Sequence, residues 1–409
     1  MTSPQHKVPK YMKQFACIGS ACEDTCCAWW GISIDKHTYT KYQSVTNTSL
    51  RRKLKKNLSI KPQGSVQDYA EMQLNPNTGD CAMLDHGMCS IQLELGESYL
   101  SQTCRTYPRV INQAGNALEM TAQLSCPEVA RLVLLDEQAM ELVDVDLAHI
   151  GSVTYKHKAA ATLDPNRPEF YFPEIREMMM EIMKYREFSL PHRLILLGVF
   201  CDNVNLLMDE KKYKELPHLC VQFREEVAHN DELRSYNVYP LDPIFQLQYL
   251  NNYLMDILDD TIWNARYREC IHDYKQGMTR NGSSLEAIAG TYDYSYEHYY
   301  KPFMDQHAHV LENFILNHLY SRMLAEMHVN IPVFDSYQML VAEFAMIKLH
   351  LIGIAAHHQQ LTEELTVKLI QSYTKNYEHT ALFLKNILDD FKKQGYHTLG
   401  YMSLLIKND

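Results

Sequence analysis

The sequence predicts a mainly α-helical protein, in which a cysteine-rich, mixed α/β N-terminal region with a short β-hairpin precedes an all-α C-terminal domain. Two observations support this prediction. Eight of the 11 cysteines lie in the first 126 residues, and apolar residues recur at helical spacing after about residue 168. The 409 residues suffice for two or three domains, and 46% hydrophobic with 22% charged residues is typical of a soluble globular chain.

The N-terminal region is predicted to contain short, mixed elements. Residues 31–35 have the character of a short strand, and the basic run 51–56 is typical of an exposed helix face. Residues 107–124 alternate in two arms around residues 114–116, which predicts a β-hairpin. Helical apolar spacing after Pro127 predicts a helix over residues 128–143.

A linker is predicted near residues 150–168, where Gly151 and the Pro-rich run at residues 164–168 interrupt the pattern. We therefore expect a cysteine-rich, cluster-binding domain at residues 1–150 and a helical domain for substrate or partner binding at residues 168–409. The most apolar stretch, residues 339–356, contains Glu343, Lys348 and His350 and is predicted to be a buried helix rather than a membrane span. The Tyr-rich segment at residues 292–300 is predicted to be a surface loop.

The charge pattern limits the classes of partner. The net charge is −11, which argues against nucleic-acid binding because such proteins present a basic face. Residues 1–131 carry 14 Lys and Arg against 11 Asp and Glu, whereas the rest carries 25 against 39. The acidic half suits a basic partner such as a lysine, although a solvated acidic surface is the commoner explanation. The first residues lack the apolar core of a signal peptide, so we expect a cytoplasmic chain with no membrane association.

Clustered cysteines in a cytoplasmic chain are expected to be metal ligands or redox groups, since disulfides are disfavoured there. Thiolates select iron–sulfur clusters, zinc and Cu(I). The irregular spacing favours an iron–sulfur cluster over zinc, which usually uses two regular cysteine pairs. Unliganded thiols and disulfides are the remaining alternatives. The candidate ligands are Cys17, Cys22, Cys26, Cys27, Cys81, Cys89, Cys104 and Cys126.

Three further residues beside these cysteines are candidates for cofactor binding. Trp30 follows Cys26 and Cys27 closely and could shield a cluster from water, or could belong to the core. Arg105 and Arg109 flank the segment after Cys104, where they could offset cluster charge or clamp a carboxylate. An ordinary surface role for both arginines is equally compatible with the sequence.

Three blocks of sequence carry a resemblance to a known family. The blocks are Phe15-x-Cys17-x4-Cys22-x3-Cys26-Cys27, then Cys81-x7-Cys89-Ser90-Ile91-Gln92 with Thr103-Cys104-x2-Tyr107-Pro108-Arg109, then Ser125-Cys126-Pro127-Glu128. Over residues 10–135 these blocks resemble the flagellin lysine-N-methylases. The broader cysteine-rich relatives share a Cys-x3-Cys-x2-Cys-Cys core, and this chain departs from it, with four and then three residues between its first cysteines.

The resemblance implies methylation of flagellin lysines from S-adenosylmethionine, with a [4Fe-4S] cluster. Rossmann-type methyltransferases need a Gly-x-Gly turn to approach their cofactor, and the sequence has none. We therefore expect the methyl donor to bind elsewhere, at the cluster, with Arg105 and Arg109 near the carboxylate of S-adenosylmethionine. The Cys-x3-Cys-x2-Cys of radical enzymes is not matched, so radical and polar transfer both stay open. Asp293, Tyr294 and Glu297 are candidates to receive the lysine.

Two other functions are compatible with the absence of standard cofactor motifs. The first is a non-catalytic zinc- or cluster-stapled module that binds a flagellar partner. The second is an electron-transfer or redox-sensing protein.

Overall fold

The computed structural model describes residues 6–114, 117–146, 164–235, 241–251, 262–377 and 381–408. Its strands are short and belong to the N-terminal region. They are β1 (His6–Pro9), β2 (Ile32–Ile34), β3 (Leu58–Ile60), β4 (Ala70–Met72), β5 (Leu84–Asp85), β6 (Met88–Cys89), β7 (Arg109–Ala114), β8 (Ala117–Ala122) and β9 (Leu142–Val145).

Helices of the N-terminal region are α1 (Lys36–Gln43), α2 (Thr48–Asn57), α3 (Ser90–Leu95), α4 (Gln102–Thr106) and α5 (Pro127–Leu134). The described residues from 164 onward are helical apart from their connections, which confirms the predicted fold class. Their α-helices are α6 (Phe172–Ile182), α7 (Leu190–Asp209), α8 (Leu216–His229), α9 (Asp231–Arg234), α10 (Ala265–Met278), α11 (Leu285–Ser295), α12 (Lys301–Gln306), α13 (His309–Ser321), α14 (Met323–His328), α15 (Val333–His358), α16 (Glu363–Tyr377), α17 (Ala381–Gln394) and α18 (Leu399–Ile406). Residues 243–251 are also helical.

The strands form three small sheets. β2, β4 and β3 make an antiparallel sheet in that order, and β5 pairs with β6. The largest sheet has the order β7-β8-β1-β9, and β1 lies parallel to β8. The predicted hairpin is confirmed by β7 and β8, which pair from Arg109 with Ala122 to Ala114 with Ala117. Gly115 and Asn116, the predicted turn, lie outside the described residues.

Two hydrophobic cores divide the molecule. The small core contains β2, β4 and the apolar faces of α1 and α2, and Cys27, Cys89 and Cys104 pack against it. The large core combines the helical domain with β1, β7, β8 and α5. A buried bidentate ion pair crosses it, from the Arg176 guanidinium on α6 to the Glu119 carboxylate on β8, with both N–O distances 2.6 Å. The four-stranded sheet therefore packs with the helices. Most of the predicted linker, residues 147–163, lies outside the described residues.

The predicted helix over residues 128–143 is wrong in its second half. The helix ends at Leu134, and residues 142–145 instead form β9 beside β1. The side-chain amide of Asn313 on α13 donates to the carbonyls of Val133 (2.9 Å) and Asp136 (2.8 Å). These bonds satisfy carbonyl groups left open at the helix end, so the chain can turn there.

The Tyr-rich segment is also helical rather than a loop. Residues 292–295 complete α11, and Tyr296–Tyr300 form one π-helical turn that continues into α12. Tyr292 and Tyr300 are buried against the large core and therefore hold this segment in helical register, while Asp293, Tyr294 and Glu297 are exposed.

Helix α15 is the centre of the large core. Among the described residues it is the one helix long and apolar enough to cross a membrane, but its most apolar window is completely buried in the protein, as in a globular core helix. Charged and polar residues of the stretch are buried with partners: Lys348 donates to the Ile406 carbonyl (2.8 Å), and Glu343 pairs with His318 (3.0 Å). The prediction of a buried helix over residues 339–356 is confirmed.

Candidate metal centre and its attachment to the helical domain

A short loop before β2 places the adjacent cysteines Cys26 and Cys27 next to a second cysteine-bearing segment. The Cys81 amide donates to the Cys27 carbonyl (2.7 Å), and the Trp29 amide donates to the Gly79 carbonyl (2.9 Å). Trp29 has φ +67° and its indole covers Gly79, where a Cβ would lie 2.2 Å from the ring. Only glycine at residue 79 allows this close approach.

Cys81, Cys89 and Cys104 form a first group of neighbouring thiols. The tight β5–β6 hairpin returns Cys89 towards Cys81, and the Cys81 Sγ accepts a bond from the Met83 amide (3.4 Å). Cys104 lies on α4, whose N-cap is Ser101. Burial raises the pKa of Cys104 to about 12, and the neighbouring thiols of Cys81, Cys89 and Cys26 also raise it. Burial likewise raises the pKa of Cys81 to about 11, with Cys89 adding to the effect.

Cys22, Cys26 and Cys126 form a second group. Cys126 is the N-cap residue of α5, and the amides of Val129 and Glu128 hydrogen-bond to it. Burial raises the pKa of Cys126 to about 12, and the thiols of Cys22 and Cys26 raise it further. The hydrogen bond with Cys27, followed by desolvation, raises the pKa of Cys26. Cys26 thus neighbours both groups, while Cys17 is exposed on the preceding segment.

The spacing of these thiols can be compared with the needs of each candidate metal. A zinc ion with Zn–S bonds of 2.3 Å holds its thiolates about 3.8 Å apart. Within the described residues, which include all eight N-terminal cysteines, no three cysteine thiols lie within 4.8 Å of one another. Thiolates of an iron–sulfur cluster bind different iron atoms, so the cluster accepts ligands from separate loops. Separated thiols of this kind are compatible with cluster ligands from different loops, and metal binding would have to release the protons that the raised pKa values retain.

Asp24, between Cys22 and Cys26, attaches the cysteine loop to the helical domain. Its carboxylate accepts hydrogen bonds from Lys375 and Gln371 (2.9 Å) on α16 and from Asn264 (3.1 Å) before α10. The Lys375 ammonium also donates to the Thr25 carbonyl (2.7 Å) in the same loop. Both members of the ion pair are nearly buried, with 12% of the Asp24 side chain and 6% of the Lys375 side chain exposed.

Helix α16 holds the second thiol group as well. The Gln371 amide that contacts Asp24 also donates to the Ser125 carbonyl (3.0 Å), next to Cys126. Outside this contact, Arg131 on α5 pairs with Glu23 in the cysteine loop. One face of α16 therefore fixes the relative position of Cys22, Cys26 and Cys126.

Three tryptophans lie around the cysteine loop. Trp29 lies 5.5 Å from Trp263 between ring centroids, and the Lys375 ammonium lies 5.7 Å from the Trp263 ring. The Trp30 indole donates to the Cys26 carbonyl (2.6 Å) and packs on Tyr107 at 5.4 Å. Trp30 is thus placed beside Cys26, where shielding of a bound group is geometrically feasible.

The two candidate arginines differ in their surroundings. Arg105 is exposed on α4. Arg109 begins β7 and is half-buried, with its guanidinium 5.0 Å from the centre of the Phe15 ring. Because stacking occupies a face of the guanidinium, its N–H edge can still bind a carboxylate.

Sequence reasoning missed the residues that join the cysteine region to the helices. Lys375 and Gln371 lie within the helical apolar pattern that follows residue 168, but nothing in that pattern marks them as partners of Asp24, which lies far earlier in the chain. A lysine and a glutamine on the buried face of a helix are the available signal, because such groups need a polar partner. The three later cysteines, Cys201, Cys220 and Cys270, are buried in the large core.

A cavity of about 570 Å³ lies elsewhere in the helical domain. It is lined by Tyr296 and Tyr300 of the π-helical turn and by Arg186, Arg193 and Glu312. Glu312 is paired with both arginines, at 2.8 Å and 2.6 Å, and these pairs hold its pKa below the usual range despite burial. No described cysteine lines the cavity.

The fold and the site together define a metalloprotein candidate in which a thiol-rich module is docked on a helical domain. The chain belongs to the FliB lysine N-methylase family, since residues 176–405 match the model of the FliB lysine N-methylase C-terminal domain. This confirms the family suggested by the three N-terminal sequence blocks.

Three curated proteins show similarity at 34% identity over 135 residues, which is 33% of this chain. The flagellar biosynthetic protein FliU of Salmonella muenchen is matched over 79% of its length. The lysine-N-methylases of Salmonella typhimurium strain LT2 and Salmonella choleraesuis strain SC-B67 are each matched over 33% of their length. The similarity therefore spans about a third of the length of each of these two lysine-N-methylases. No solved structure shows significant similarity.

Proposed function

We propose that this protein transfers methyl groups from S-adenosylmethionine to lysine side chains of flagellin. Membership of the FliB lysine N-methylase family supports the reaction, and the names of the relatives, lysine-N-methylase and flagellar biosynthetic protein, support a flagellar substrate. The observation that carries the proposal is the contact of Asp24 with Gln371 and Lys375. It joins the thiol-rich loop directly to a helix within the family's C-terminal domain.

A [4Fe-4S] cluster is part of this proposal. Cys22, Cys26 and Cys126 form one thiol group and Cys81, Cys89 and Cys104 form another, with Cys17 and Cys27 as additional candidates. When bound, a cluster with one iron open to ligands offers a position for the amino and carboxylate groups of S-adenosylmethionine. The Arg109 guanidinium, oriented by Phe15, and the exposed Arg105 would bind that carboxylate.

The cysteine region is a better site for the methyl donor than the cavity beside the π-helical turn. That cavity is large enough for a cofactor-sized ligand. Three of its charged side chains pair with one another, however, because Glu312 is bound by Arg186 and Arg193, and no described cysteine lines it. We therefore assign the methyl donor to the thiol region.

Polar transfer requires a neutral lysine amine aligned with the methyl–sulfur bond of the donor. The amine nitrogen bonds to the methyl carbon while the carbon–sulfur bond breaks, and S-adenosylhomocysteine leaves with the electron pair. The methylated ammonium then loses a proton to water. In the alternative radical route, product formation depends on a strong one-electron reductant.

The test is an anaerobic preparation followed by a methylation assay. We expect a brown protein with about four irons per chain and flagellin that gains methyl groups one at a time on lysine, as measured by mass spectrometry. Product formed equally without reductant supports polar transfer, whereas strict dependence on reductant supports the radical route.

Other results would contradict the proposal in separate ways. A colourless protein with one zinc would exclude the cluster. A brown protein that leaves flagellin and its peptides unmodified under reducing, anaerobic conditions would exclude the methylation and favour a partner-binding or electron-transfer role.

A further inference from the structure

Three potential metal-ligating side chains meet where the C-terminal end of α15 lies beside α10. The Asp273 Oδ2 atom is 2.9 Å from the His358 Nε2 atom, and its Oδ1 atom is 3.8 Å from the His357 Nε2 atom. One ligand atom from each residue lies within 4.8 Å of the other two. Within the described part of the chain, this is the one group of three His, Cys, Asp or Glu side chains this close together.

The backbone explains why these side chains meet. Gly277 on α10 faces Gly353 on α15 so closely that a Cβ on Gly277 would lie 2.0 Å from the Gly353 carbonyl oxygen. One helical turn away, this close contact brings Asp273 to the end of α15. Neighbouring residues on a helix normally point about 100° apart. The Nε2 atoms of His357 and His358 nevertheless both face the Asp273 carboxylate. Their ring planes lie at 90° to each other, with centroids 4.8 Å apart.

The surroundings admit an ion from solvent. The side chains of Asp273, His358 and His357 are 20%, 34% and 36% exposed. The negative end of the α15 dipole favours a cation, but the Arg280 guanidinium already lies 3.4 Å from the Ala356 carbonyl at that end. Affinity therefore has to come from the ligand bonds and the Asp273 charge rather than from the general field.

We infer that Asp273, His357 and His358 bind one divalent transition-metal ion, for which zinc is the best match. Imidazole and carboxylate ligands suit zinc, and its bond lengths of about 2.0–2.2 Å require ligand atoms about 3.3 Å apart in a tetrahedron. The 2.9 Å separation of Asp273 Oδ2 and His358 Nε2 is a hydrogen bond, and the 3.8 Å separation involves the other carboxylate oxygen, so a bound ion would replace that hydrogen bond. Water takes the fourth position.

The bound ion would cross-link α10 and α15 at the end of their contact. The site shares no residue with the cysteine region, and it does not depend on the proposed methyl transfer. Its test must nevertheless distinguish it from zinc held by cysteines.

The test uses the cluster-loaded protein, dialysed against micromolar Zn²⁺, with zinc and iron measured per chain. We expect the His357→Ala/His358→Ala double variant to lose one zinc per chain with its iron unchanged. His218→Ala, at an exposed histidine on α8, is the matched control and should keep the zinc. Zinc should also raise the unfolding midpoint of the unaltered protein and not that of the double variant.

His358→Gln separates loss of the ion from loss of structure, because glutamine can still hydrogen-bond to Asp273 but is a poor zinc ligand. We expect it to lose the zinc while keeping its zinc-free unfolding midpoint. Equal zinc content in the unaltered protein and the double variant would overturn the inference. So would uptake that requires millimolar zinc, which would indicate adventitious binding.

Discussion

The Asp24 carboxylate in the cysteine loop is paired with the Lys375 ammonium on α16, 351 residues later in the chain. Only 12% of the Asp24 side chain and 6% of the Lys375 side chain are exposed. Removing one partner of such a pair leaves the other charge buried without compensation, which typically costs about 3–5 kcal/mol.

We predict that Lys375→Met lowers the free energy of unfolding by about 3 kcal/mol and reduces the iron bound per chain. The reason is that the Asp24 loop, with Cys22 and Cys26 on either side, loses its attachment. Chemical denaturation and iron analysis measure the two effects. Lys212→Met is the control: it breaks the exposed pair with Glu210 and should leave the stability and the iron content nearly unchanged. Full iron content in Lys375→Met would show that α16 does not position the ligands.

Cysteine variants should separate ligands from core residues. We expect alanine in place of Cys22, Cys26, Cys81 or Cys126 to reduce the iron content and the visible absorption of the anaerobic protein. Alanine at Cys201 should leave both unchanged, because Cys201 is completely buried in the large core. Iron analysis and absorption spectra give the comparison. Unchanged iron in every single N-terminal variant would contradict binding by these thiols.

Breaking the ion pair between Arg176 and Glu119 tests whether the four-stranded sheet unfolds together with the helices. Glu119→Gln leaves the fully buried Arg176 guanidinium without a counter-charge, so we expect a loss of about 3–5 kcal/mol. Calorimetry should show one transition shifted to lower temperature. The exposed pair of Glu181 and Arg224 supplies the control, Glu181→Gln, with an expected loss below about 1 kcal/mol. If Glu119→Gln instead shifts only a minor, separate transition, the sheet unfolds independently of the helices.

His350 should make the protein less stable as the pH falls below neutrality. Burial lowers its pKa to about 4, although a hydrogen bond to the Met346 carbonyl (2.6 Å) acts in the opposite direction. The unfolded chain binds this proton near pH 6.5 and the folded protein does not. Stability is therefore lost progressively as the pH falls from about 6.5 towards 4, by about 2 kcal/mol at pH 5.

Denaturation at pH 7, 6 and 5 checks this expectation against His350→Gln, which cannot be protonated. The variant should show a smaller pH dependence over that range, even though it loses packing among Tyr267, Tyr274 and Tyr373. Equal pH dependence in both proteins would assign the effect to other groups, such as His192 and His309, whose pKa values burial also lowers.

Two glycines provide a matched test of the contact between α10 and α15. Gly277→Ala places a methyl group against the Gly353 carbonyl, so we expect a loss of at least about 1–3 kcal/mol. Gly290→Ala, within α11, meets no atom within 4 Å and should instead stabilise the protein by up to about 1 kcal/mol through helix propensity. Thermal unfolding measures both. A neutral Gly277→Ala would mean that the two helices can separate without cost.

Local pattern was sufficient for many elements. Alternation around residues 114–116 correctly predicted the pairing of β7 with β8, and helical apolar spacing after about residue 168 correctly predicted the helices of the C-terminal half. Both patterns depend on neighbours within a few residues, which share a face of a strand or helix. The helix predicted over residues 128–143 forms only up to Leu134, because Asn313, distant in sequence, binds carbonyls at its end and β1 pairs with residues 142–145.

The sequence by itself determined the chemistry available to this protein. Soft thiol ligands are a property of residue type, and eight of them within 126 residues predict a metal centre. Only the tertiary structure decided which thiols are neighbours, that Asp24 binds Lys375, and that Asp273 meets His357 and His358. The physical reason is that the contacts of Asp24 with Lys375 and of Asp273 with the two histidines join residues from 84 to 351 positions apart, and such contacts leave no periodic trace in either segment.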